Sequence, residues 1–218
     1  MLKKTIFLLL ILFVCSGCTI VRDDEEEAQE QKGIEIYFVD GKFNPDTYVD
    51  DIWEKKVIPT IREQAVDLRT ILDEYIHDQK AAGQKYGHRE KEEGSPWNFI
   101  AKSEGQVIAV KTESRAGTIE VDIPPYDGAS DVVVQIGPIM RGESLRDALD
   151  FITFGMFTNQ LEFGQLAKAF NARARQEALG NIDPASLLGK TIEFYGTFTQ
   201  KTEVNDIQIT PVQLNVVH

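Results

Sequence analysis

The hydrophobic pattern of this chain changes at Gly94. Before Gly94, apolar residues recur at helical spacing, and after it they alternate with polar residues or form the short apolar runs typical of strands. These runs are interrupted by a long helical segment near 158–178 and then resume. The second part of the chain therefore has the order strands, helix, strands, which restricts it to few architectures.

The order of the runs indicates a specific fold. They are, in chain order, WNFIAK, QVIAVKT, GTIEVDI, SDVVVQIG, KTIEFYGTF and IQITPVQLNVV, with turn signals at Gly105, Gly117 and Asp127-Gly128. An OB-fold, a five-stranded Greek-key barrel, has a helix before its fourth strand. An open antiparallel sheet capped by the helix fits the same spacing. Pro211 predicts an edge or a bulge in the last strand. We expect an α+β chain in which an N-terminal helical subdomain precedes an OB-fold-like antiparallel β-barrel with an inserted helix.

Capping signals mark the first helices. Asn44 is a suitable N-cap, with Pro45 at the first helical position, where its missing N–H costs nothing. Pro59 predicts the end of this helix or a kink in it. Thr60 and Glu63 have the spacing of a capping box that restarts the helix. The sequence therefore predicts a helical hairpin or one long kinked helix.

The first residues have the layout of a secretory signal. Lys3 and Lys4 precede an apolar stretch that ends at the small residues Ser16 and Gly17. This stretch is shorter than the roughly 20 apolar residues that span a bilayer. Cys18 follows, and VCSGC resembles a bacterial lipobox, in which the last cysteine takes a diacylglycerol. We expect lipidation of Cys18, with ordinary signal cleavage or a retained anchor as the alternatives.

Cys15 and Cys18 also have the C-x-x-C spacing of redox and zinc sites. A redox pair needs a strand before it and a helix after it, and zinc needs further ligands. The sequence provides neither, so Cys15 is expected to leave with the signal. Thr19 directly after the lipid-bearing cysteine predicts sorting to the outer membrane if the cell is Gram-negative.

The remaining composition divides the chain. An acidic stretch from Asp23 to Glu30 is too charged and too poor in apolar residues to pack. We therefore expect a signal peptide over 1–17, an acidic tether over 18–42, the helical subdomain over 43–93 and the OB-like domain over 94–218. The formal net charge of -12 argues against nucleic acid as a partner, because Lys and Arg contacts to phosphates dominate that affinity.

No motif in the sequence indicates catalysis. Ser95 and Ser114 lack the G-x-S-x-G context, and no P-loop, dinucleotide fingerprint or EF-hand loop is present. His77 and His88 lie on either side of an expected helix end, which favours two surface histidines over a metal site. With 35 acidic residues, any choice of a catalytic carboxylate pair is arbitrary. We expect a protein that is not an enzyme and that has no metal and no cofactor.

Two arginines are the first candidates for a binding site. Arg115 and Arg141 lie near glycines, just after expected strands, where a loop can direct a guanidinium at a carboxylate, a phosphate or a pair of sugar hydroxyls. Asp147, Asn159 and Glu162 are candidates to complete a polar cluster. The alternative is that both arginines pair with acidic side chains and hold loops together.

Aromatic residues supply a further possibility. Trp97 beside Asn98, together with Tyr126, can stack on a sugar ring. The same residues can equally be half-buried parts of strands.

Several co-linear runs resemble a known family. They are TESRAGT, QIGPIMRG, FTNQLEF, DIWEKKVIPTI and GSPWNF. They are similar to a bacterial family of predicted periplasmic lipoproteins, the domain of unknown function 2291. The resemblance implies a helical subdomain joined to an OB-like domain and an association with sugar ABC transport, and it implies no established activity. The loop PPYDGAS is shorter and less acidic than the corresponding turn of the family, which weakens the expectation of a cation there.

Together these observations favour a lipid-anchored, periplasm-facing envelope protein that binds a partner and catalyses nothing. The expected partners are the membrane, through Cys18, and either a solute-binding protein or ABC transporter component, or a small carbohydrate. The alternatives are a hydrolase acting on envelope glycans and a purely structural lipoprotein. The first alternative predicts a cleft with two carboxylates, one of them with a raised pKa.

Overall fold

The structure is a computed structural model that describes residues 38–39, 42–90 and 94–217. The expected signal peptide and lipidation site at Cys18 lie outside these residues, as does the acidic stretch from Asp23 to Glu30. The described chain begins with two short antiparallel strands, β1 (Phe38–Val39) and β2 (Lys42–Phe43).

Short helices and two-residue strands make up the next part of the chain. In order they are α1 (Pro45–Ile52), a π-helical turn (Trp53–Val57), α2 (Ile58–Gln64), β3 (Val66–Asp67), α3 (Leu68–His77), α4 (Gln79–Tyr86) and β4 (Gly87–His88).

The caps of these helices confirm one prediction and correct another. Asn44 caps α1, its side chain accepting a hydrogen bond from the backbone N of Thr47 at 3.2 Å. The expected capping box at Thr60 is wrong, because the backbone continues through the π-helical turn and Thr60 lies inside α2. Asp67 starts the next helix instead, accepting from the backbone N of Thr70 at 3.0 Å.

The rest of the chain contains the long strands and the inserted helix. In order the elements are β5 (Asn98–Lys111), β6 (Thr118–Asp122), β7 (Val132–Gln135), α5 (Ser144–Asp147), a 3₁₀ turn (Phe154–Met156), α6 (Gln160–Leu179), a second 3₁₀ turn (Pro184–Leu187), β8 (Thr191–Thr199), a third (Val204–Asp206) and β9 (Gln208–Val217).

The long strands form a closed ring of pairings. β5 pairs antiparallel with β6 and β8, β6 with β7, and β8 with β9, while β7 and β9 run parallel. The order β5-β6-β7-β9-β8 therefore returns to β5, which is the connectivity of an OB barrel with a helix before its fourth strand. β3 and β4 add to β5 outside this ring. The expected fold class is confirmed.

Gly105 does not form the expected turn. It lies inside β5, a single strand of 14 residues, and pairs with Ile192. A Cβ at Gly105 would lie 2.5 Å from Cγ1 of Val121 and 2.7 Å from the carbonyl oxygen of Asp122. Glycine is required because two strands approach closely here, and a close backbone approach is the usual meaning of glycine within a strand.

Pro211 has the effect predicted from the sequence. The register of β8 against β9 shifts between Tyr195, which pairs with Gln213, and Gly196, which pairs with Pro211. The extra residue is Val212, so β9 bulges at this position.

Two hydrophobic cores support the fold. Inside the barrel, Phe99 stacks on Phe198 with ring centroids 4.7 Å apart, and Tyr75 of α3 packs edge-on against Phe99. The second core lies between α1, α2 and α6 and contains the buried Trp53 and Phe170. Because α3 belongs to the first core and α1 to the second, the helices pack on the barrel and on α6. Within the described residues, no helix has the length and apolar character needed to cross a membrane.

Candidate functional site

A cleft opens where the start of β5, helix α5 and the beginning of α6 meet. Its volume is about 390 Å³. Three carboxylates and one guanidinium are among its lining groups, so we call it the acidic cleft. The residues that matter for its chemistry are Glu90, Asn98, Glu143, Arg146, Asp147 and Phe163.

Arg146 holds the wall of the acidic cleft together. Its side chain is only 4% exposed. Nε donates to Asp147 at 2.7 Å, Nη2 donates to Glu143 at 2.8 Å, and Nη1 donates to the carbonyl oxygen of Phe163 at 2.8 Å. The guanidinium also lies over the ring of Phe163, 3.5 Å from its centroid. Its three hydrogen bonds and its stacking contact are all made with protein groups, so Arg146 is a structural cation.

Among the described residues, Asp147 is the carboxylic acid whose pKa is most changed by its surroundings. Burial raises its pKa above the ordinary range of an aspartic acid, and the neighbouring charges of Glu143 and Glu90 act in the same direction. The hydrogen bond and charge of Arg146 oppose this shift without cancelling it. A carboxyl group donates a hydrogen bond only in its protonated form, and a raised pKa extends the pH range in which that form exists.

Two further clefts continue from the acidic cleft. The central cleft, of about 500 Å³, shares Glu143 and Asp147 with it. The barrel-end cleft, of about 370 Å³, shares Thr199 and Lys201 with the central cleft. We call the three together the groove, because shared lining residues place them in sequence along α6 and the end of the barrel.

A buried polar network lies beneath the barrel-end cleft. The hydroxyl oxygen of Ser144 lies 3.0 Å from that of Thr197 and 3.4 Å from that of Thr210. The side-chain amide of Gln135 donates to the hydroxyl of Thr210 at 3.1 Å. All four side chains are buried. Satisfied networks of this kind fix the geometry around them.

The structure separates the two arginines that the sequence singles out. Arg141 lines the barrel-end cleft, whereas Arg115 lies exposed in the loop between β5 and β6 and does not line the groove. The two loops touch through the backbone, where the N of Ile139 donates to the carbonyl oxygen of Arg115 at 2.9 Å. The expected cluster of Arg115 and Arg141 with Asp147 does not form. Asp147 lines the acidic and central clefts and bonds Arg146, its neighbour on α5, whereas Arg141 lines the barrel-end cleft.

Asn159 and Glu162 serve the start of α6 and leave the polar cluster expected from the sequence incomplete. The side-chain oxygen of Asn159 accepts from the backbone N of Glu162 at 3.1 Å. The carboxylate of Glu162 accepts from the backbone N of Thr158 at 3.1 Å. The first bond satisfies a backbone donor that every helix start leaves free, and the second holds the residue before the N-cap against the first turn.

Trp97 and Asn98 face different surroundings. The guanidinium of Arg89 lies over the ring of Trp97, 4.0 Å from its centroid, and the ring fills the space beside Gly83. Asn98 is buried, lines the acidic cleft and accepts from the hydroxyl of Thr199 at 2.7 Å. Tyr126 is 51% exposed, on the loop after β6.

The histidines do not form a metal centre in the described part of the chain. His77 is exposed and His88 lines the edge of the acidic cleft. No group of three or more His, Cys, Asp or Glu side chains among residues 42–90 and 94–217 is placed to hold a metal ion.

Sequence reasoning found Asn98, Arg141 and Asp147 but missed Arg146, Gln135 and Lys201, which also line the groove. Arg146 is flanked by Glu143 and Asp147, and this local spacing of opposite charges is the signal that could have found it. Gln135 and Lys201 gave no such signal, because the tertiary fold alone brings the end of β7 beside the loop between β8 and β9.

Comparison with solved structures supports the fold. An OB-fold protein from Thermotoga maritima is similar to this chain with a TM-score of 0.64 and 17% sequence identity, over 80% of this chain and 99% of that chain. At this identity the likeness shows the architecture alone. The protein is therefore an OB-fold protein with a polar groove at one end of its barrel.

The family follows from the sequence match. The model of the predicted periplasmic lipoprotein family DUF2291 matches residues 8–215, so the chain belongs to that family. The match confirms the resemblance seen in the sequence motifs and the assignment to the class of periplasmic lipoproteins. A comparison with curated proteins finds no match.

Proposed function

We propose that this protein is a lipid-anchored accessory binding protein whose groove takes a small polyhydroxylated molecule, and that it catalyses no reaction. The acidic cleft carries this proposal. Its side chains combine carboxylates, the amides of Asn98 and Gln160 and the aromatic ring of Phe154, while Arg146 covers one face of the neighbouring Phe163 ring. Planar polar groups beside an aromatic face are suited to a sugar, which offers hydroxyl pairs at its edges and C–H groups on its faces.

Several acceptors of the acidic cleft remain available to a ligand. Glu90 uses one carboxylate oxygen to accept from the backbone N of Phe154 at 2.9 Å. Asp147 receives Arg146 through one oxygen. Gln160 is exposed at the first position of α6, with no side-chain hydrogen bond to another described residue. A hydroxyl donor that enters the cleft therefore meets acceptors already held in position by the fold.

The wider role proposed is an accessory function in sugar uptake at the envelope. The family's assignment to periplasmic lipoproteins supports the location, and the lipobox at Cys18 supports attachment to a membrane. The residue after Cys18 supports the outer membrane in a Gram-negative cell. The resemblance described from the sequence supports the link to an ABC transporter or its solute-binding protein. A purely structural role needs no groove, so the groove favours binding.

Isothermal titration of the full chain in mild detergent with pentoses and hexoses tests the proposal. We expect saturable binding by at least one sugar. Gln160→Ala removes one hydrogen-bonding group from the cleft and should weaken that binding by roughly three- to tenfold, as expected for one hydrogen bond. Gln165→Ala, on the same helix, exposed and outside the groove lining, is the matched control and should leave it unchanged. Absence of binding by every sugar, or equal loss in both variants, contradicts the proposal.

One observation favours a second candidate, a hydrolase acting on envelope glycans. Asp147 has a raised pKa and shares the acidic cleft with Glu143 and Glu90, and a glycosidase needs one protonated and one ionised carboxyl group. Release of reducing ends from glycan strands, abolished in both Asp147→Asn and Glu143→Gln, would support it. Because Arg146 bonds both carboxylates and opposes the rise in the pKa of Asp147, we place binding first.

A further inference from the structure

Three cations without an ion-pair partner in the described residues line two adjacent clefts of the groove. Lys168 and Lys201 line the central cleft, and Arg141 and Lys201 line the barrel-end cleft. Their charged groups have no ion-pair partner in the part of the chain that the structure describes. By contrast, Arg69, Arg146 and Arg173 are each paired with carboxylates. Exposed cations outside the groove, such as Lys102, Arg115 and Lys190, also lack an ion-pair partner among the described residues. What points to a ligand is therefore the position of three cations along one groove.

The backbone that carries two of these cations is held rigidly. Arg141 is clamped by the side-chain amide of Gln135, which accepts from its backbone N at 2.7 Å and donates to its carbonyl oxygen at 3.0 Å. The hydroxyl of Tyr75 accepts from the backbone N of Lys201 at 2.7 Å and donates to its carbonyl oxygen at 2.5 Å. Both anchoring side chains are buried. Cations on fixed backbone lose less entropy when they bind a ligand.

The carboxylates of the groove are concentrated at the end opposite Arg141 and Lys201. In the central cleft, Glu143 and Asp147 are already bonded to Arg146. In the barrel-end cleft, Asp206 is the one carboxylate among the lining residues, against Arg141 and Lys201. The groove therefore has an acceptor-rich end at the acidic cleft and a cationic end beside the barrel.

We infer that the ligand of the groove is an anionic sugar derivative. Its carboxylate or phosphate is held by Lys168, Lys201 and Arg141, and its hydroxyl groups lie toward the acidic cleft. This inference rests on the proposed function and adds the charge of the ligand. A guanidinium and ammonium groups bind either anion through charge-assisted hydrogen bonds, so the two sources are separated by experiment.

The test is isothermal titration of the full chain in detergent at low salt with glucose, glucuronate, glucose 6-phosphate and inorganic phosphate. A triple variant, Arg141→Gln, Lys168→Gln and Lys201→Gln, removes the cations of the groove. A matched triple variant, Lys102→Gln, Lys190→Gln and Arg115→Gln, removes three exposed cations that are outside the groove lining. It controls for the change in net charge.

We expect glucuronate, glucose 6-phosphate or both to bind at least about tenfold more tightly than glucose, since one charged hydrogen bond gives a preference of this size. This preference should disappear in the groove variant and persist in the matched variant. Which of the two acids binds identifies the anion. Added salt should weaken the preference, because exposed charges are screened.

Other outcomes separate the two proposals. If glucose binds as tightly as the acids, or if both triple variants lose the preference equally, the anion site is overturned and the sugar site stands. If inorganic phosphate alone binds and only the groove variant loses it, the anion site is supported and the sugar site is contradicted. If none of the four ligands binds, both proposals are overturned.

Discussion

The guanidinium of Arg146 stacks on the ring of Phe163 and donates a hydrogen bond to the carbonyl oxygen of the same residue at 2.8 Å. This double contact joins the short helix α5 to the first turn of α6. Because Arg146 also bonds Glu143 and Asp147, one buried cation determines the shape of the acidic cleft.

Replacing Arg146 should destabilise the protein. Arg146→Ala leaves the half-buried carboxylate of Asp147 without its partner, and we expect a loss of about 3–5 kcal/mol in the free energy of unfolding. Arg146→Lys keeps the charge but cannot donate in three directions or stack as a plane, so it should cost about 1–3 kcal/mol. Chemical denaturation monitored by circular dichroism measures both values.

The control for Arg146 is an arginine that the fold does not use. Arg115→Ala removes an exposed guanidinium with no side-chain partner among the described residues and should change the free energy of unfolding by less than about 0.5 kcal/mol. Equal effects of Arg115→Ala and Arg146→Ala would contradict the structural role assigned to Arg146.

The local charge pattern explains why the site was only partly predictable. Asp147 was a candidate from the sequence, and the acidic residues beside Arg146 could have identified that arginine as well. The contact with Phe163, however, depends on how the chain between α5 and α6 returns on itself, and no spacing rule gives that path. Arg141 was identified for its loop position, but its clamp, Gln135, becomes visible only when β7 and the following loop are placed together.

The fold was more predictable because it depends on local patterns. Period-two runs, an intervening helix and a capping residue such as Asn44 are each determined by neighbouring residues. Gly105 is the exception, because glycine has the same appearance in a turn and in a strand that closely approaches another. The distinction depends on Val121, which lies on a different strand.

Substitutions at two glycines test the difference between a glycine that a close contact requires and one that has no such contact. Gly105→Ala places a methyl group 2.5 Å from Cγ1 of Val121, closer than packed atoms allow, and should destabilise the protein by about 1–3 kcal/mol. Gly164→Ala adds a methyl group with no heavy atom within 4 Å, inside α6. It should stabilise by up to about 1 kcal/mol, because alanine favours helix. Thermal unfolding of the two variants should therefore shift in opposite directions.

Tyr75 is predicted to stabilise the loop that carries Lys201. Tyr75→Phe removes the hydroxyl that bonds both the backbone N and the carbonyl oxygen of Lys201. The cost should be about 1–3 kcal/mol, as for partly buried groups left without a partner. Amide hydrogen exchange at Lys201 should accelerate more than the fall in global stability explains. Unchanged exchange would contradict the anchoring role.

Lipidation is predicted at Cys18. Cells fed a labelled fatty acid should incorporate it into the wild-type chain, and Cys18→Ser should abolish both the label and the membrane fractionation of the mature domain. Cys15→Ser is the matched control, because Cys15 is expected to leave with the signal. Label that persists in Cys18→Ser, or a wild-type N-terminal peptide with a free thiol, would contradict the assignment.

The raised pKa of Asp147 predicts a specific pH dependence of stability. Burial makes the folded state hold the proton of Asp147 more tightly than the unfolded state, whose aspartic acids titrate near about pH 4. As the pH rises above that value, the unfolded state releases its proton first, so stability falls until the folded pKa is passed. Asp147→Asn removes this titration. The wild-type free energy of unfolding, measured relative to Asp147→Asn, should therefore decrease from about pH 4 upward and then level off. Asp150→Asn, an exposed neighbour, shows how much of any change comes from net charge alone. If the wild-type protein gained stability relative to Asp147→Asn over this range, Arg146 and not burial would determine the direction of the shift in the pKa of Asp147.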